Sequence, residues 1–166
     1  MPLLIDFKSG DKLIINGSVL ENIGSNTKIL VHNKSAILRE KEVLSQEDAH
    51  TPASRVYPEL QGAYILLDPT EREQCLQRFE QRLNEFIAAC PNAMEIALKV
   101  RDHVHNDRIY KGLKEAQNLI KYESNVLAQF SEQLKAFLSE NDQNLIEPKD
   151  RNDATNDEAD PDQPDQ

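Results

Sequence analysis

Leu3-Leu4-Ile5-Asp6-Phe7-Lys8-Ser9-Gly10-Asp11-Lys12-Leu13-Ile14-Ile15-Asn16-Gly17 is the stretch whose reading decides the fold. Leu3, Ile5 and Phe7 alternate with Leu4, Asp6 and Lys8, the period of a strand with one buried face. Ser9-Gly10-Asp11 supplies a turn, and Lys12 to Ile15 is a second strand. Asn16-Gly17 closes it, because this dipeptide accepts the positive φ angles of a tight hairpin. Outward from there the pattern repeats. Val19 to Ile23 reads as a weaker third strand, Ile29-Leu30-Val31 as a fourth, and Ala36-Ile37-Leu38-Arg39 as a fifth. Five short strands with a turn every few residues predict a small antiparallel β-sheet or barrel.

The composition changes near Gln46. Thr51-Pro52 starts a helix with a capping hydroxyl before proline, but Pro58 and Gly62 predict an irregular or kinked segment as far as Leu67. Asp68-Pro69-Thr70-Glu71 is a cleaner start: an acidic cap, a proline in the first turn and a glutamate three residues on. Leu76, Phe79, Leu83, Phe86 and Cys90 then follow in steps of three and four, one apolar stripe on a helix ending at Pro91. Asn92 with Glu95 repeats the capping pattern, and Ala97, Val100 and Val104 continue on a shorter helix. A last helix from about Arg108 turns Ile109, Leu113, Ala116 and Ile120 inward. It either runs on through Leu127, Phe130, Leu134 and Phe137 or breaks near Ser124. These apolar sides need cover, from the β part or from a second chain in a homo-oligomer. The expected fold is α+β: a β-rich domain over 1–48, a helical bundle over 49–139 and a disordered acidic tail over 140–166.

The formal charge is −10. Residues 140–166 hold ten acids against Lys149 and Arg151, a net −8 that leaves −2 for residues 1–139. Acidity therefore belongs to the tail, and it does not exclude a nucleic-acid partner for the body. No apolar run approaches the length that spans a bilayer. Met1 to Phe7 lacks the basic lead and cleavage site of an export signal, so a cytoplasmic protein is expected. Cys75 and Cys90, on one helix, would stand roughly 22 Å apart at 1.5 Å per residue. A disulfide needs Cα atoms within about 7 Å, so both thiols are expected to be free and buried.

Catalytic chemistry is not visible. There is no Gly-x-Ser-x-Gly, and the five glycines form no phosphate-cradling loop. His103 and His105 are two apart and point away from each other on a helix, unlike metal-binding pairs four apart. The Asp-rich tail fits a calcium loop in neither register: from Asp150, Thr155 stands where glycine is required, and from Asp153 it stands at a ligand position. The reading is a binding protein with no catalytic residue, metal or cofactor.

Four ordered blocks carry a resemblance: Lys8 to Gly17; Leu38 to Leu44 with Asp48 to Tyr57; Tyr64 with Asp68-Pro69; and Tyr110 to Glu123. Together they resemble the FlbT family, the flagellum biosynthesis repressors of alphaproteobacteria, over roughly residues 1–127. The resemblance implies a post-transcriptional regulator of flagellin synthesis. Such a protein associates with the 5′ untranslated leader of flagellin mRNA, promotes its decay, and acts alongside flagellin and FlaF. The alternative is a protein-interaction adaptor or chaperone-like factor for flagellin, its helices after Asp68 offering an apolar groove to a partner.

The residues indicate where RNA would be held. Arg39 and Lys41 stand where the fifth strand becomes a loop, with Lys34 just before and Lys12 on a neighbouring hairpin. These cations suit phosphates, and Arg55 and Tyr57 offer planes for a base. The alternating charges of Arg39-Glu40-Lys41-Glu42 also permit a plainer role, pairing with neighbours across the strands and solubilising a sheet edge.

Overall fold

The computed structural model describes residues 1–144. Met1–Ala128 form one compact unit and the chain from Gln129 a second. The first unit begins with strands β1 (Leu3–Phe7), β2 (Lys12–Ile15), β3 (Ser18–Glu21), β4 (Thr27–Val31) and β5 (Ile37–Arg39). A 3-10 turn, Glu40–Glu42, leads to helices α1 (Pro52–Ile65), α2 (Pro69–Ala89), α3 (Met94–His105) and α4 (Ile109–Asn144). This is the expected α+β arrangement, with the strands in two antiparallel sheets. β1 pairs with β4, while β2 lies between β3 and β5. Asn16 and Gly17 make the β2–β3 hairpin with φ of 49° and 83°.

The registers explain why the strands are short and why they matter. Leu13 lies opposite Arg39, Ile14 opposite Leu38, and Ile15 opposite Ile37. Successive side chains of a strand point to opposite faces, so β2 and β5 serve two cores at once. Leu13 joins Ile5 and Phe7 in a β cluster, with Ile15 and Ile37 against it. Leu38 faces the other way, into the helical core, with Ile14 beside it. That core comprises Val56, Leu60, Phe79, Leu83, Phe86, Val100, Leu113 and Leu119, among others, each at most 1% exposed.

The helices begin largely as their caps direct. Thr51 Oγ1 accepts from the Ser54 amide at 3.2 Å, and Asp68 accepts from the Glu71 amide at 2.9 Å. The buried Glu123 of α4 accepts from the Ala53 amide at 3.1 Å, placing a carboxylate at the N-terminus of α1, where the helix dipole favours it.

Three local expectations are corrected. The segment around Pro58 and Gly62 is continuous helix. Proline inside a helix costs about 3 kcal/mol, but α1 buries Val56, Tyr57 and Leu60, each worth about 1.5–3 kcal/mol, so burial wins. Gly62 serves packing: a Cβ there would lie 2.8 Å from Cys75 Sγ, and its absence lets α1 and α2 approach. Asn92 does not cap α3, because Pro91–Ala93 form a 3-10 turn and α3 starts at Met94 without a side-chain cap. The third strand ends at Glu21, and Ile23 is exposed. Of the two courses open to the last helix, α4 takes the continuous one, through Ser124 and past Phe137.

Both cysteines are free, Cys75 buried and Cys90 half-buried. In the second unit Phe130, Leu134, Phe137 and Leu138 share a helical face and are exposed. The tail expected over 140–166 lies, beyond Asn144, outside the described residues. No described helix is long and apolar enough to cross a membrane.

Candidate nucleic-acid interface

The segment carrying Arg39 and Lys41 is held against the helices by polar contacts. Ile37 donates its amide to Tyr64 Oη at 3.3 Å. Tyr57 donates its hydroxyl to the Glu42 carbonyl at 2.6 Å. Gln61 accepts from the Leu44 amide at 2.9 Å. Three α1 side chains thus fix the course of the chain from β5 through the 3-10 turn to Leu44.

Glu42 is the centre of this attachment. Its carboxylate accepts from the Arg39 amide at 3.0 Å, from Tyr110 Oη at 3.2 Å and from the Lys114 ammonium. Burial pushes the Glu42 pKa up, but the hydrogen bonds from Lys114, the Arg39 amide and Tyr110 outweigh it and hold the carboxyl below its ordinary value. The Glu42 bond in turn raises the Lys114 pKa.

These contacts bear on the charge alternation of Arg39-Glu40-Lys41-Glu42. Both acids find cations elsewhere: Glu40 lies 3.9 Å from Lys12, and Glu42 takes Lys114. Arg39 and Lys41 are exposed, and neither forms an ion pair among the described residues. The plainer role therefore holds for Glu40, which pairs with Lys12 across the strands, and does not extend to Arg39 or Lys41.

Of the six residues singled out from sequence, three converge. Lys12, Arg39 and Lys41 line one cleft of about 440 Å³, joined by Lys8. A second cleft of about 430 Å³ has Arg39 and Lys41 on one side and Tyr110, Lys114 and Gln117 of α4 on the other. Lys34 lies apart, in a groove with the N-terminal turn of α4. Arg55 is exposed on α1, bonded to the His50 carbonyl at 3.5 Å, and lines neither Arg39 cleft. Tyr57 is 3% exposed, so its ring belongs to the core and no base can stack on it. Burial likewise raises its hydroxyl pKa. Its role is to hold the Glu42 carbonyl.

Sequence reading missed Lys8, Lys114 and Tyr110. Tyr110, 38% exposed, is the aromatic ring at the cleft, with the Lys114 ammonium 5.2 Å from its centroid. Its proximity to Arg39 comes from the packing of α4, which no local pattern reports. The one signal was its place in the Tyr110 to Glu123 block. Chemically, the surface offers unpaired cations and an aromatic edge on a rigid segment. Among the described residues, no three His, Cys, Asp or Glu side chains are placed to hold a metal ion.

Comparison with known proteins gives a consistent result. The family model described as "Flagellar protein FlbT" matches residues 3–127. A probable flagellum biosynthesis repressor protein FlbT of Caulobacter sp. (strain K31) is 32% identical over 133 residues, spanning 79% of this chain and 100% of the relative. The flagellum biosynthesis repressor protein FlbT of Caulobacter vibrioides (strain ATCC 19089 / CIP 103742 / CB 15) is 31% identical over 138 residues, 82% of this chain and 96% of its own. A probable repressor of the same name from Rhodopseudomonas palustris (strain TIE-1) is 32% identical over 128 residues, 77% and 99% of the two chains. No solved structure matches.

Proposed function

The chain belongs to the FlbT family of flagellar proteins, and from that premise we propose that it represses flagellum biosynthesis. It acts after transcription, in the cytoplasm, by associating with the 5′ untranslated leader of flagellin mRNA and promoting degradation of that message. The protein is a binding regulator and leaves cleavage of the message to another factor.

The observation that carries the RNA contact is the unpaired state of Arg39 and Lys41 beside Lys12 and Lys8 at one cleft. Cations without a carboxylate partner attract phosphate, and each contact releases condensed counterions. A turn anchored by Glu42 and Tyr57 presents them in fixed positions, so little order is lost on binding. Leader binding is expected to weaken as salt rises. Arg39→Ala with Lys41→Ala is expected to reduce affinity about ten-fold and to lower the log–log salt slope by about 1.4, at ~0.7 per phosphate contact. Electrophoretic mobility shift of a flagellin leader measures both. Absence of binding by the parent protein at low salt would sink the reading.

One observation favours a second reading. From Gln129 on, α4 exposes Phe130, Leu134 and Leu138 at helical spacing, while most large apolar side chains of α2 and α3, Met94 and Leu98 apart, pack into the core. An adaptor for flagellin or FlaF would bind through that apolar face. It predicts that either protein co-purifies from nuclease-treated extract and that Leu134→Asp abolishes the complex. Loss of the complex on RNA digestion alone argues against it.

A further inference from the structure

The groove that contains Lys34 is strongly cationic. It encloses about 640 Å³ between the β4–β5 loop, the end of α1 and the start of α4. Its wall carries Lys34, Arg72, Arg108 and Lys111 against one carboxylate, Asp107. The cleft holding Lys12, Arg39 and Lys41 sets four cations against Asp6, Asp11 and Glu40. Asp107 is engaged by Arg72 at 2.7 Å, and Arg108 reaches Asp102 at 2.7 Å. Lys34 and Lys111 are exposed and have no ion pair among the described residues. With Arg72 and Arg108 paired, Lys34 and Lys111 are the groove's uncompensated charges, and they favour an anionic ligand.

A second observation gives the groove a direction. Tyr110 lines it, and Tyr110 also lines the cleft that contains Arg39, Lys41 and Lys114. The two concavities meet at one half-exposed aromatic ring. Tyr64 stands behind it, with ring centroids 5.5 Å apart and planes tilted by 37°, so the ring is braced from within. Leu67, 74% exposed, adds an apolar edge to the groove. A chain of phosphates flanked by cations, with flat apolar groups able to reach an aromatic ring, matches this sequence of surfaces. A duplex hides its base faces and has no use for the ring, whereas a single strand exposes them.

We propose that the Lys34–Lys111 groove is a second stretch of one single-stranded RNA track, continuous past Tyr110 with the Arg39–Lys41 cleft. The inference rests on the RNA-binding reading and adds to it the path, the strandedness and the aromatic contact. Lys34 and Lys111 hold phosphates, while Arg72 and Arg108 remain paired with Asp107 and Asp102. Tyr110 contacts a base at the junction, and it does so for any base, because every base has a π face.

The test titrates the full chain into fluorescently labelled oligouridylate 12-mers and into an RNA duplex of the same length, reading anisotropy at several salt concentrations. Lys34→Ala with Lys111→Ala changes two exposed side chains and is expected to leave the circular dichroism spectrum and melting unchanged. It should weaken the single strand about five- to twenty-fold and lower the log–log salt slope by about 1.4. Tyr110→Leu should weaken oligouridylate and oligoadenylate alike, while Tyr110→Phe retains binding. Tighter binding of single strand than duplex supports the inference. If the parent binds and Arg39→Ala with Lys41→Ala weakens it, but the Lys34/Lys111 variant matches the parent, the groove inference falls and the RNA reading stands. If the parent binds no RNA, both fall. If the Lys34/Lys111 variant loses only binding to an acidic Asp/Glu peptide, the groove docks protein and the inference is overturned.

Discussion

The two clusters of buried apolar side chains in the first unit differ in size and in what they control. The helical cluster contains fifteen buried residues, including Phe79, Phe86 and Leu38. The β cluster contains Ile5, Phe7 and Leu13, with half-buried neighbours. Three side chains at about 1.5–3 kcal/mol each cannot offset the ordering of some forty residues at about 1–2 kcal/mol apiece. The β part therefore owes its order to the helices, through Leu38 and Ile14 and through the Tyr57, Gln61 and Tyr64 bonds. The candidate RNA surface sits on this dependent side, yet at its best-anchored edge.

The strongest way to break this comparison is Phe79→Ala. It removes a fully buried ring and is expected to destabilise the whole first unit by about 3–5 kcal/mol in urea unfolding. Ile5→Ala should cost less, near the ~2 kcal/mol foot of the large-to-small range. Equal losses at the two sites would show that the β cluster matters more than its size suggests.

Gly62→Ala tests the helical packing from the opposite direction. Its new Cβ would meet Cys75 Sγ at 2.8 Å, an overpacking expected to cost about 1–3 kcal/mol. Adding Cys75→Ala opens space and should recover part of that loss, which thermal melting of the single and double variants will show.

Glu42→Gln sharpens the account of the junction. The folded pKa of Glu42 lies below its ordinary value, so its charge stabilises the fold above the unfolded pKa of about 4.3. That contribution disappears as pH falls through the lower folded value. The variant should be less stable than the parent by about 1–2 kcal/mol at neutral pH. The two should converge in strong acid, as read from urea midpoints across pH. A constant difference at all pH values would place the effect in packing instead. The smallest stability effect is expected from Arg39→Ala with Lys41→Ala, within ~0.5 kcal/mol, with the RNA affinity carrying the change.

Much of the fold was legible because it depends on local rules. Alternation gave β1 and β2, Asn16-Gly17 gave the hairpin, and Asp68-Pro69 with its three-four stripe gave α2. What was not legible depends on distant partners. Pro58 looked like a breaker because the burial that overrides it comes from α2 and α4 side chains. Tyr57 looked like a stacking plane because an exposed tyrosine and a core tyrosine read alike until the fold covers one of them. Arg39, Lys41 and Lys12 came together as anticipated, since strand pairing alone brings β2 beside β5. Tyr110 and Lys114 arrive from some seventy residues downstream, and only tertiary packing joins them to Glu42.

The two-sided register of β2 and β5 has a consequence for how such a chain can vary. Leu13 against Arg39 and Ile14 against Leu38 assign each position to one face. Deleting a single residue between Ala36 and Leu38 would exchange the faces, carrying a guanidinium toward the helical core and moving Leu38 out of it onto the face of the β cluster. Asn16 holds the same point from outside, accepting from the Ala36 amide at 2.9 Å and donating its own amide to the Ala36 carbonyl at 2.8 Å. Divergence in this segment is therefore open to exchanges of one side chain for another of its kind and closed to insertions and deletions. Within Ile37–Arg39 the number of residues matters more than which apolar side chain fills each place.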